Sequence, residues 1–263
     1  MDFNQNIQHW LGLLAPISLD EMSGIKLMNR TDTKFVTNKC HLASLLELAQ
    51  GQYFAQQIGD QRIANYRTTY WDTPAHRFFL EHHNARAPRQ KIRVRTYMDS
   101  DLTFLEVKTK NNHGRTKKKR ITVPSQERQD VIDAGGTPFI QNLTGATFDD
   151  ILPTVQNQFQ RITLVNYGKT ERLTIDFNVS FHNYETERDA GTGELVIIEL
   201  KRDGNVFSPI LDMLRQLRIK PSGFSKYCIG SVVTNAQLKN NLFREKLVRI
   251  TKYTGSEFRI PAL

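Results

Sequence analysis

From Lys91 to Arg95 the chain alternates cation and aliphatic side chain, Lys91-Ile92-Arg93-Val94-Arg95. A period of two belongs to a β-strand, so the three cations share one face and Ile92 and Val94 the other. The same device recurs in three further strand-like runs. Glu106, Lys108 and Lys110 oppose Leu105 and Val107, Arg30, Asp32 and Lys34 share a face, and Glu199 and Lys201 share one with Ile197. Such strands need a fold that buries one face and keeps the other wet, because an unpaired charge is not tolerated in a dry interior.

The charge is also concentrated. Lys and Arg number 36 against 27 Asp and Glu, a net charge of +9. The stretch Arg86 to Arg120 holds twelve basic and three acidic residues, so it carries the whole excess and the rest of the chain balances to zero. A basic excess implies an anionic partner: nucleic acid, phosphate compounds or an acidic membrane surface. A chain of 263 residues is long enough for a sizeable core. It contains no apolar run of the ~18 residues that a membrane helix needs. The start shows no secretory signal, so the cytoplasm is the expected location. Cys40 and Cys228 have no metal-binding or redox spacing and are expected to be reduced and structural.

Periodicity places the other elements. Ile7, Trp10, Leu11 and Leu14 make one face of a helix over 5–14, and Ser18 with Glu21 forms a capping box. Asn38 caps a helix bearing Leu42, Leu45, Leu46 and Ala49 on one side. Strands are expected over 29–36, 63–71, 90–97, 102–110, 115–123, 161–167, 172–179 and 194–201, with a hairpin turn at Asn111-Asn112-His113-Gly114. Residues 74–84 read as a helix or an irregular connector. Helices follow at 209–218, ended by Pro221, and over 235–250. No repeat or low-complexity linker divides the chain, so 1–263 reads as one α+β domain on an antiparallel sheet.

A solvated sheet face explains any one charged strand. Two features point elsewhere for the set: Glu199 and Lys201 end a run, Leu195 to Ile198, that is apolar on both faces, and the cations are rich in Arg, whose fork matches phosphate oxygens. If the sheet closes into a barrel, the charged faces line a tunnel and focus their field on an anion. Carboxylates among them can hold Mg²⁺ or Mn²⁺ against phosphate oxygens. This combination describes a polyphosphate or nucleotide site better than a nucleic-acid groove.

Six runs, in order, resemble the VTC domain, the catalytic domain of the vacuolar transporter chaperone polyphosphate polymerase in the triphosphate tunnel metalloenzyme superfamily. They are Arg30 to Val36, Tyr70-Trp71-Asp72-Thr73, Lys91 to Arg95, Glu106 to Lys110, Ile198 to Lys201 and Phe224-Ser225-Lys226-Tyr227, taken as strands. The resemblance spans about 29–230. It implies an antiparallel eight-stranded β-barrel tunnel with flanking helices, and transfer of the ATP γ-phosphate onto a growing polyphosphate chain with Mn²⁺ or Mg²⁺. Carried over by position, Lys34, Arg93, Arg95, Lys108 and Arg172 would act on the transferring phosphates. Lys91, Lys118, Arg120, Lys169, Lys201, Lys220, Ser225 and Lys226 would bind the phosphate chain, and Glu199 and Glu106 would serve the metal.

The superfamily opens with Glu-x-Glu-x-Lys, whereas here Arg30 and Asp32 stand at the acidic positions, which argues against a second metal on that strand. Where the family favours an Arg after a Tyr, Tyr167-Gly168-Lys169 offers Lys169. Eukaryotic relatives carry lipid-signal and membrane modules, so a membrane-protein partner here would be a separate chain. Other motifs fail. His82-His83 lacks zinc-site spacing, Gly135-Gly136-Thr137 lacks a P-loop's Lys and reads as a turn, and Ser222 to Ser225 has no triad partners. Two alternatives stay open: a triphosphatase of the same fold, and a non-catalytic polyphosphate- or nucleic-acid-binding module. DNA is not the expected partner, since Lys117-Lys118-Lys119-Arg120 has no interleaved aromatics.

Overall fold

The computed structural model describes residues 2–25, 30–204 and 206–254, without the side chain of Arg30, whose expected place on the charged row lies outside the described residues. In chain order the elements are α1 (Phe3–Leu13), β1 (Ala15–Ile17), α2 (Leu19–Ser23), β2 (Arg30–Asn38), α3 (Lys39–Leu48), β3 (Tyr53–Gln56), β4 (Ala64–Asp72), α4 (Arg77–His83), β5 (Arg89–Tyr97), β6 (Leu102–Lys110), β7 (Thr116–Val123), α5 (Arg128–Asp133), α6 (Gly136–Thr144), β8 (Leu152–Asn166), β9 (Glu171–Asn183), β10 (Arg188–Gly191), β11 (Leu195–Asp203), α7 (Pro209–Gln216), α8 (Lys226–Thr234) and α9 (Arg244–Thr254).

Eight of the strands form one path in the order β2-β11-β9-β8-β4-β5-β6-β7, every neighbouring pair antiparallel. The path is strongly curled. Lys34 of β2 and Lys91 of β5 lie five steps apart, ~24 Å in a flat sheet. Yet Lys34 donates to the Phe224 carbonyl at 2.9 Å and Lys91 to the Ser225 hydroxyl at 3.0 Å, on consecutive residues. This is the α+β tunnel barrel with flanking helices, and among the described residues no ladder joins its edges, β2 and β7.

Alternation sorts the side chains as expected. Outside β9 and β11, Leu173, Ile175, Phe177, Val196 and Ile198 pack under α1, α3 and α7. Outside β5 and β6, Ile92, Val94, Leu105 and Val107 pack under α5 and α6. Opposite Gln158 to Gln160 of β8, β9 carries one extra residue at the left-handed Asn178, a bulge that moves its inward set from Thr174 and Asp176 to Val179 and Phe181 while β8 keeps its alternation.

Inside, apolar side chains crowd one end: Val36, Leu195, Ile197, Val155, Val179 and Phe181 surround α8. This helix is buried from Tyr227 to Thr234, as an all-round apolar helix must be. Its position corrects the strand reading of Phe224 to Tyr227. Ser225 is the N-cap, its hydroxyl accepting from the Cys228 amide at 3.2 Å. Gly135-Gly136 likewise opens α6 with Gly135 at φ +84°, rather than forming a mere turn. The helix expected over 235–250 begins later, at Arg244, after a 3-10 turn at Asn241–Phe243. The strand expected at 161–167 starts nine residues earlier, at Leu152, where Gln and Asn interrupt the apolar pattern.

Candidate functional site

The charged rows meet inside the curl. Register sets Lys34, Glu199, Thr174 and Thr163 side by side across β2, β11, β9 and β8, flanked by the row Asp32, Lys201, Arg172, Val165 and by the row Val36, Ile197, Asp176, Arg161. On the other wall Tyr70, Arg93, Glu106 and Arg120 align across β4 to β7, next to Lys91, Lys108 and Lys118.

Three carboxylates on the inward rows, Glu106, Asp176 and Glu199, each lie between two cations, whereas Asp72 at the end of β4 accepts from the Phe78 and Phe79 amides and the Tyr227 hydroxyl. Glu106, fully buried, takes Arg93 Nε at 2.7 Å and Nη2 at 2.6 Å on Oε2, and Lys118 Nζ at 2.8 Å on Oε1. Asp176 takes Arg161 Nε at 2.5 Å and Nη2 at 2.8 Å, and Lys226 on Oδ2. Glu199 lies 3.7 Å from Lys34 Nζ and 3.2 Å from Lys201 Nζ. Arg95 has Thr68 Oγ1 at 3.0 Å and the rings of Tyr66 and Phe159 beneath it. Every cluster thus keeps a net positive charge, and Lys91, Lys108 and Arg95 add more. A site built this way is incomplete without an anion.

The electrostatics follow from that surplus. Burial drives Glu106, Asp176 and Glu199 up, but the cations around them outweigh it and hold all three below the usual carboxylate range, Glu106 at about 2. Burial, together with Lys34, pulls Lys108 down to about 8, and burial pulls Lys226 to about 8 against the attraction of Asp176. Tyr70 is brought to about 8, since Arg93, Arg95 and Lys91 overcome the effect of burial. On α4, burial and the nearby Lys91 hold His82 down at about 2, a neutral imidazole.

Of the sequence candidates, Lys34, Lys91, Arg93, Arg95, Lys108, Lys118, Arg120, Arg172, Lys201 and Glu199 fall on inward rows. Arg172 also donates to the Met22 carbonyl at 3.0 Å, and Arg120 lies over the Phe104 ring at 4.3 Å. Ser225 and Lys226 reach the site from the start of α8. Two candidates stand apart. Lys169 is exposed in the left-handed turn between β8 and β9, and Lys220 is exposed before α8. The inward cation of β8 is instead Arg161, two positions after an aromatic, Phe159. Arg161 and Asp176 were absent from the sequence candidates. Their signal was present in the two cations and one acid of Arg161, Asp176 and Lys226, but it spans three elements.

Glu106 has a different surrounding from that expected of a metal carboxylate, because both of its oxygens are taken by cations. Among the described residues no three His, Cys, Asp or Glu are grouped to hold a metal. Asp176 is likewise saturated by Arg161 and Lys226. Glu199 fits better: Lys34 is beyond hydrogen-bond distance of its Oε1, and beside it the buried Thr174 hydroxyl has no partner among the described residues. Oxygen donors of this kind suit Mg²⁺ or Mn²⁺, which bind through one or two carboxylates with phosphate oxygens completing the shell.

The family model of the VTC domain matches residues 29–235. The chain belongs to the VTC domain family. No curated protein matches the sequence. Among solved structures, this VTC domain is similar to a candidate adenylate cyclase of Bacillus halodurans at 12% identity and a TM-score of 0.49, over 75% of this chain and 96% of that one. It is also similar to a candidate adenylyl cyclase of Hippeastrum with a dominant triphosphatase activity, at 14% identity and a TM-score of 0.49, over 77% and 94% of the two chains. Among the described residues of the VTC domain no helix is long and apolar enough to cross a membrane.

Proposed function

We propose that the chain is a metal-dependent polyphosphate polymerase that moves the γ-phosphate of ATP onto a growing polyphosphate chain. The observation that carries this reading is the two-to-one pairing of cations and carboxylates on the inward rows, which leaves a curled, walled site with a standing demand for a polyanion. Phosphoryl transfer asks a protein for positioning and charge neutralisation more than for a covalent nucleophile.

The geometry supports the following roles. Arg93, held by Glu106 through Nε and Nη2, would turn its other N–H donors to a phosphate oxygen, and Arg95 and Lys108 lie on adjoining inward positions. Arg161 and Lys226, fixed by Asp176, do the same from the opposite wall. A terminal oxygen of the polyphosphate attacks the γ-phosphorus, the bond from that phosphorus to the β,γ-bridging oxygen breaks, and ADP leaves with the electron pair. Glu199 would hold Mg²⁺ or Mn²⁺, which when bound would supply charge neutralisation for the triphosphate.

Incubation of the purified chain with ATP and Mn²⁺ should yield ADP and a phosphate ladder on a gel. Release of free phosphate alone would assign the chain to triphosphate hydrolysis instead. Binding of polyphosphate without turnover of ATP would make it a binding module.

A further inference from the structure

Thr174 occupies the middle of the inward row that runs Thr163, Thr174, Glu199, Lys34 across four strands. It is 5% exposed, and its hydroxyl has no hydrogen-bond partner among the described residues. Buried hydroxyls are nearly always satisfied, so an orphan on the wall of a binding site marks a missing group. Its neighbours say which. The carboxylate directly across the ladder is Glu199, which disfavours a phosphate oxygen at this point and favours a cation. Glu199 Oε2 is engaged by Lys201 at 3.2 Å, whereas Lys34 stays 3.7 Å from Oε1 and gives its hydrogen bond to the Phe224 carbonyl.

Resting on the polymerase reading, we propose that the Thr174 hydroxyl is a neutral oxygen donor that works with Glu199 to seat the divalent cation of a metal–triphosphate complex. A hydroxyl beside a carboxylate is a hard donor pair suited to Mg²⁺ or Mn²⁺. Lys34, Lys108, Lys201 and Arg161 all act on Glu199, so a bare cation is repelled and enters only with its phosphates. Thr174 is therefore a ligand to the metal, distinct from the cations that hold phosphate.

Calorimetric titration with tripolyphosphate, once in EDTA and once with Mn²⁺, separates the two contributions. In the wild-type chain Mn²⁺ should raise the affinity, and Mn²⁺ alone should not bind. Thr174→Val, which keeps the shape and removes the hydroxyl, should cut the gain from Mn²⁺ roughly tenfold and leave the affinity in EDTA unchanged. Thr174→Ser should restore the gain. An undiminished gain in Thr174→Val overturns the proposal, as does an equal loss with and without metal, which would put the hydroxyl on phosphate. Thermal melts verify folding, and Thr174→Ala supplies the same comparison if the valine variant does not fold. Failure of the wild-type chain to bind tripolyphosphate under either condition would instead defeat the polymerase reading on which the proposal rests.

Discussion

Arg161 grips both carboxylate oxygens of Asp176 across the β8–β9 ladder, Nε to Oδ1 at 2.5 Å and Nη2 to Oδ2 at 2.8 Å, and Lys226 of α8 reaches Oδ2 from inside the barrel. One buried acid therefore ties the wall to the helix that fills the barrel's apolar end. It also orients two cations toward the same space.

Replacing Asp176 with Asn leaves Arg161 and Lys226 buried without their counter-charge. Breaking a buried pair in this way costs ~3–5 kcal/mol. Urea unfolding should show that loss, and tripolyphosphate should recover more stability in the variant than in the wild type. Equal midpoints for the two proteins would mean that water already screens the cluster.

Lys108 and Lys226, both drawn down to about 8, predict opposite pH trends for stability and binding. Their folded values lie below the ~10.4 of an unfolded lysine. Between about 8 and ~10.4 the unfolded chain holds more protons, so the stability of the ligand-free protein rises with pH in that window. A bound polyanion favours the charged lysines, so affinity for tripolyphosphate falls over the same window. Melting and titration from pH 7 to 10 read both slopes; parallel slopes would show that neither lysine meets the ligand.

Arg93→Ala removes a charge-assisted contact worth ~1.5–3 kcal/mol, so the dissociation constant for ATP should rise by roughly 10–100-fold. Arg93→Lys should recover only part of this, because the fork that spans Glu106 and a phosphate becomes a point charge. Unaltered ATP binding in Arg93→Ala would place this guanidinium away from the nucleotide.

Glu199→Gln should abolish Mn²⁺-dependent turnover while affinity for tripolyphosphate in EDTA stays the same or rises, since a negative charge leaves a positive site. Full turnover by the variant would remove Glu199 from the metal role.

Gly230 sits where α8 touches Phe181: a Cβ there would lie 2.5 Å from Cδ1 and 2.8 Å from Cε1 of that ring. Alanine is the better helix former by ~1 kcal/mol, but overpacking of ~1–3 kcal/mol opposes it. Gly230→Ala should lower the melting temperature. A higher one would mean that the Phe181 ring turns aside freely.

The regular strands were legible because alternation is a local property, and β5, β6 and β11 lie within two residues of their expected bounds. Ser18, Asn38 and their helices were legible for the same reason, since a cap acts across three residues. Phe224 to Tyr227 reads as a strand but opens α8, because four residues carry no period. What makes 226–234 a helix is the apolar cavity that surrounds it.

By itself, then, the sequence determined which side chains share a face and that the whole excess of charge lies between Arg86 and Arg120. Only the tertiary structure decided that those faces look inward, that Arg161 and not Lys169 supplies the inward cation of β8, and that Glu106 holds cations on both oxygens. The physical reason is range. Face is set by neighbouring dihedrals, whereas an ion pair such as Lys226 with Asp176 depends on where a curled sheet brings residues fifty positions apart.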